Sequence, residues 1–150
     1  MLTRPLHLNS VQIIAALLVV ALALVLRVIL LFDRAYGDSD FIPRADTDPE
    51  VYFRFASAFV DGGWPYRPYV NQPGISYVFG VLLSIVGRDV ALLRLAVVAL
   101  DAVAAGFMIG AGWLLTRRVW GGYTAGLLYA MYPPAIYYGT SLLIAPLAAW

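Results

Sequence analysis

The chain has 150 residues, 62% of them hydrophobic and 13% charged, with a mean hydropathy of +0.80. Soluble domains run near ~45–50% apolar and ~25% charged, so this composition points to a polytopic membrane protein with room for one modest domain. The net charge of +1 gives no reason to expect a nucleic-acid partner, and the absence of cysteine excludes a disulfide framework or a thiolate metal site. All ten basic residues are arginine, which together with the Ala and Val richness suits a GC-rich bacterial genome.

Residues 1–10 are short and polar, with Arg4 and His7 as the basic side chains. Val11–Phe32 is almost continuously apolar, about the ~20 residues that cross a ~30 Å hydrocarbon core as a helix. A signal peptide would have a shorter apolar region with its small-residue cleavage site at the end. The only A-x-A here, Ala21-Leu22-Ala23, lies in mid-run, so a retained span is expected. Arg27, near the far end, reads as a side chain snorkelling to the interface.

The segment 33–72 is the long polar stretch and holds seven of the nine acidic residues. With Arg4 cytoplasmic, it lies outside. Asp48-Pro49-Glu50 reads as a helix start, with Asp48 as N-cap and Pro49 at the first helical position. From there to Asp61, Val51, Phe55, Ala58 and Phe59 recur at helical spacing, which predicts a surface helix over 49–61, ended by Gly62-Gly63. Trp64, Tyr66 and Tyr69 suit an interfacial aromatic belt.

The apolar run 74–86 is too short to span and reads as a second interfacial helix, so the first external loop covers 33–89. The run 90–115 is long enough to cross. If 74–86 does not cross, that span delivers Arg117-Arg118 to the cytoplasm, as positive-inside topology prefers. The run 119–138 returns outward, with Pro133-Pro134 breaking or kinking its outer part and Gly139-Thr140-Ser141 as an external turn. Leu142–Trp150 opens another apolar run and stops short of a span, so the chain reads as the front of a longer protein. The expected fold is all-α and integral to the membrane: about three complete spans, the start of a fourth, and two interfacial helices.

Two D-x-D pairs lie in the polar loop, Asp38-Ser39-Asp40 and Asp46-Thr47-Asp48. Paired carboxylates can hold a divalent cation against a phosphate or act as general base. An acidic loop also contains such pairs by chance, and N-capping already accounts for Asp48. Arg94 and Asp101 lie inside a spanning segment, where ionisable groups are functional hypotheses by default. Seven residues apart, they share a helix face. Arg94 would sit level with the acidic loop and could bind a phosphate, or it could form an ion pair that fixes the bundle. The tyrosines Tyr132, Tyr137 and Tyr138 read as aromatic belt. No His-rich metal site, nucleophile–base pair or phosphate-cradling glycine loop is apparent.

Four stretches follow one another in a recognisable order: DPEVYFRFASAFVDGG, NQPGISYVFGVLLSIVG, LLRLAVVALDAVAAGFMIGAGWLLTRRVWG and YPPAIYYGTSLLIAPL. Together they resemble the N-terminal module of the GT-C glycosyltransferases. The likeness is to the bacterial relatives of the dolichyl-phosphate-mannose–protein mannosyltransferases, and it covers nearly the whole chain. The resemblance implies an enzyme of the bacterial cytoplasmic membrane. It would move a sugar from a polyprenyl-phosphate donor to a lipid, glycan or protein acceptor on the outer face.

The family's acidic base matches Asp48, with Asp46 as the fallback, and its donor-phosphate arginine matches Arg94. Tyr52, Gln72, Asp101 and Tyr138 are expected to support the site. A divalent cation is the one cofactor left open, with Asp46 and Asp48 as its ligands. Two departures stand out: Asn71-Gln72-Pro73 lacks the Glu or Lys relatives often carry there, and Ala145 occupies a usual acidic position. A chain of this length is expected to be inactive by itself. The alternatives are a non-catalytic membrane partner that keeps the fold, or a transporter fragment, which predicts polar groups facing one another at mid-membrane.

Overall fold

The computed structural model of the chain describes residues 9–37, 41–45, 47–63 and 73–142. These residues form six helices and no strand: α1 (Ser10–Gly37), α2 (Asp48–Val60), α3 (Pro73–Val86), α4 (Val90–Thr116), α5 (Val119–Met131) and α6 (Pro133–Gly139). Two of them, α1 and α4, are long and apolar enough to cross a membrane. With 28 and 27 residues they are about 42 and 40 Å long at 1.5 Å per residue.

Each boundary has a local cause. A reciprocal capping pair opens α1: Asn9 N donates to Gln12 Oε1 at 3.0 Å, and Gln12 N donates to Asn9 Oδ1 at 2.8 Å. The carboxylate of Asp89 opens α4 by accepting from Ala91 N at 2.7 Å and Leu92 N at 3.0 Å. The run 119–138 is interrupted at Tyr132, which has φ −71° and ψ 112°. Pro133 disfavours helical backbone in the residue before it and has no N–H to continue the ladder. The break expected from Pro133-Pro134 therefore divides the segment into α5 and α6.

The central helix is α4, packed against α1, α3, α5 and α6. Its contact with α5 is close because α5 presents Gly122, Gly126 and Ala130, all buried, at intervals of four. A Cβ at Gly122 would stand 2.7 Å from the Ile109 carbonyl oxygen, so only glycine permits this approach. Val19 and Ala23 of α1 join the same seam, packing with Ala102 and Ala105 of α4 and Ala130 of α5.

The α2–α3 hairpin covers the N-terminal end of α4. Tyr52 and Ala56 of α2 pack with Ile75, Phe79 and Leu83 of α3, and with Leu93 and Val97 of α4. This shifts the expected apolar stripe. Val51, Phe55, Ala58 and Phe59 are half-buried, whereas Tyr52 and Ala56 are fully buried. The reason is that α3 and α4 cover that side of α2. An exposed Asp61–Arg88 ion pair links the end of α2 to the α3–α4 corner.

Candidate functional site

Polar side chains in the bundle form two layers. The first lies where the C-terminal end of α1 meets the N-terminal end of α4. Arg34 Nη1 donates to Ser141 Oγ at 2.8 Å and Thr140 Oγ1 at 3.1 Å, while its guanidinium stacks over Tyr137 at 5.1 Å. Arg94, 2% exposed, donates from Nη1 to the Thr140 carbonyl at 2.8 Å and lies 4.9 Å over the Phe41 ring. Both arginines line a cavity of about 380 Å³, together with Arg44, Thr47, Pro49 and Tyr138. Three guanidinium groups, all permanently charged, thus converge on a space bordered by the loop that leads into α2. Planar, multiply donating cations in a partly enclosed space bind phosphate or carboxylate oxygens.

The second layer is one heptad deeper. Arg27 precedes Arg34 by seven residues and Asp101 follows Arg94 by seven, so in these antiparallel helices both steps run about 10.5 Å in the same direction. Arg27 is fully buried and ion-paired through Nε with Asp101 Oδ2. Its Nη1 donates to the carbonyls of Ala23 at 3.1 Å and Ala130 at 3.3 Å, while its Nη2 has no hydrogen-bond partner among the described residues. Tyr129 Oη donates to the other Asp101 oxygen at 2.7 Å, and the tyrosine ring lies 5.3 Å from the Arg27 guanidinium. Gly139 closes the layer from above: a Cβ there would be 2.6 Å from Asp101 Oδ2. The next residue, Thr140, is the one that Arg34 and Arg94 both hold.

Several expectations change here. Arg27 does not snorkel, because Asp101 offers a carboxylate inside the bundle and the guanidinium turns inward to it. Asp101 belongs to this deeper layer rather than to the cavity. Asp48 is not the N-cap of α2: that position is Thr47, with Asp48 the first helical residue and Pro49 the second. The Thr47 side chain does not cap either, but donates to the Arg44 carbonyl at 2.7 Å. Asp48 stays exposed in the first turn, where its negative charge suits the helix dipole. Tyr52 is a core residue; burial, and then the Asp48 charge, push its phenol pKa above 10.0.

Tyr138 and Arg94 line the cavity, as do Thr47 and Pro49 on either side of Asp48. Asp46, Gln72, Ala145 and the pair Asp38–Asp40 lie outside the described residues. Among the described residues, no group of three or more His, Asp or Glu side chains could hold a metal ion. Sequence reasoning missed Arg34, Arg44, Thr140 and Ser141. The heptad spacing of Arg27 and Arg34 on α1, mirrored by Arg94 and Asp101 on α4, was the available signal.

No protein-family model, curated protein or solved structure matches the chain.

Proposed function

We propose that the chain is the front module of a membrane glycosyltransferase that uses a polyprenyl-phosphate sugar. The observation that carries the reading is the convergence of Arg34, Arg44 and Arg94 on one cavity beside the residues flanking Asp48. In this reading α1, α4 and the broken α5–α6 unit are three crossings, and the N-terminus is cytoplasmic. The α2–α3 hairpin lies at the outer face of the cytoplasmic membrane, in line with Arg117-Arg118 at the inner face.

The arginines hold the donor phosphate. The acceptor hydroxyl attacks the sugar's anomeric carbon, its proton passes to Asp48, and the bond to the donor phosphate oxygen breaks. Negative charge grows on the leaving polyprenyl phosphate, where the guanidinium groups stabilise it. Asp46, two residues before Asp48, assists. The test is binding of polyprenyl phosphate to the complete protein. Arg94→Gln and the exposed Arg44→Gln should each weaken it at least about tenfold, the size of a lost charge-assisted hydrogen bond. Unchanged binding in both variants would remove the basis for the reading.

One observation favours a second reading, a transporter: Arg27, Asp101 and Tyr129 face one another inside the bundle. It predicts that Asp101→Asn abolishes ion-coupled substrate uptake into vesicles. Sugar transfer without such uptake would dismiss it.

A further inference from the structure

The other end of the bundle carries an open groove of about 750 Å³ between the first half of α1 and α5. Ala15 and Val19 form one wall, and Trp120, Tyr123 and Leu127 the other. Tyr123 Oη donates to the Gln12 carbonyl at 2.9 Å and so ties the two helices together at one end of the groove. Arg118 lines that same end. From Arg118 to Leu127 the helix rises about 13.5 Å. That is close to half of a ~30 Å hydrocarbon core, the depth of one leaflet.

Among the described residues, no acidic side chain offsets the charge at this end. No Asp or Glu occurs in residues 1–32 or 102–150, the two segments from which the groove is built. Arg117 and Arg118 are both exposed, and neither has an ion-pair partner among the described residues. Trp120 is 80% exposed and meets Tyr123 edge-on at 6.3 Å, an amphipathic pair of the kind found at headgroup level. Because α5 starts here without a side-chain cap, its N-terminal partial charge adds to that of the arginines.

We propose that this groove binds one anionic phospholipid, with its phosphate on Arg118 and one acyl chain along Val19, Tyr123 and Leu127. A protein segment packed here would have to bring its own anion to the Arg118 end. A phospholipid carries anion and apolar chain already joined, over the length the groove spans. Basic residues at this level add about 1 kcal/mol each to the binding of an anionic lipid, which is about fivefold.

The test uses the 150-residue chain with Trp120 as its single tryptophan, after Trp64→Phe, Trp113→Phe and Trp150→Phe. It is reconstituted in vesicles that contain brominated phosphatidylglycerol or brominated phosphatidylcholine at equal mole fraction. Brominated phosphatidylglycerol should quench Trp120 fluorescence at severalfold lower mole fraction. Arg118→Gln should cut that preference about fivefold, as should high salt in part, whereas Arg54→Gln on α2 should leave it intact. Equal quenching by the two lipids, or a preference that survives Arg118→Gln, would overturn the proposal. So would absence of quenching by either lipid, which would mean that protein fills the groove.

Discussion

Replacing Asp101 by Asn keeps the size of the side chain and removes its charge. Arg27, with 0% of its surface exposed, then loses its counter-charge and has only neutral partners: the amide of the new side chain, the carbonyls of Ala23 and Ala130, and the face of Tyr129. Removing one partner of a buried ion pair typically costs ~3–5 kcal/mol, because the other charge stays desolvated. Replacing the pair by apolar residues of similar volume is often neutral or stabilising by ~1–4 kcal/mol. Against that, Arg27→Met/Asp101→Leu leaves Tyr129 Oη without its acceptor, a cost of about 1–3 kcal/mol. The double variant should therefore unfold close to wild type, while Asp101→Asn loses at least ~3 kcal/mol. Reversible SDS-induced unfolding of the purified chain in mixed micelles reads both numbers. A loss of less than about 1 kcal/mol in Asp101→Asn would show that the buried charge does not depend on its partner, as would a double variant that loses as much as Asp101→Asn.

Two further outcomes follow from the same contacts. Gly139→Ala places a methyl group 2.6 Å from Asp101 Oδ2 and should cost about 1–3 kcal/mol in the same unfolding assay. An unchanged midpoint would show that α6 does not press on the ion pair. The raised pKa of Tyr52 means that the unfolded chain loses this proton first as pH rises. The stability it contributes is full below pH 10.0 and is lost as pH climbs through the folded value, so Tyr52→Phe should flatten the alkaline decline. A wild-type-minus-variant difference that stays constant from pH 8 to 11 (the assay range, about one unit past the free phenol) would contradict it.

Local chemistry made the helix boundaries legible. Asp48-Pro49-Glu50, Gly62-Gly63 and Pro133-Pro134 each act within a few residues, and the helices start or stop where they stand. The capping residue was misassigned by one position because Thr47 and Asp48 are both competent caps, and the backbone at Thr47 is the extended one. The buried face of α2 was out of reach for another reason. The helix is apolar on more than one side, and the choice of Tyr52 and Ala56 is made by α3 and α4, not by its own spacing. Arg27 was misread on the same ground, since its partner lies 74 residues away and burial turns on that partner alone. The small-residue repeat Gly122, Gly126, Ala130 was readable as a close-packing face and shows how α4 and α5 meet. At the site, Arg94 was legible as an ionisable residue in an apolar helix, and it lines one cavity with Thr47 and Pro49. Arg34 was signalled only by its heptad spacing from Arg27, since its partner Thr140 lies 106 residues further on, and Arg44 had no local signal.

In the function proposed above, Asp48 acts as the base beside an arginine-lined cavity that holds the donor phosphate. The most direct test of that role is sugar transfer from a polyprenyl-phosphate donor by the complete protein in membranes, comparing wild type with Asp48→Asn at equal expression. Loss of a general base predicts a fall in turnover of about 10²–10⁴-fold with donor binding retained. Transfer at the wild-type rate in Asp48→Asn would contradict the account.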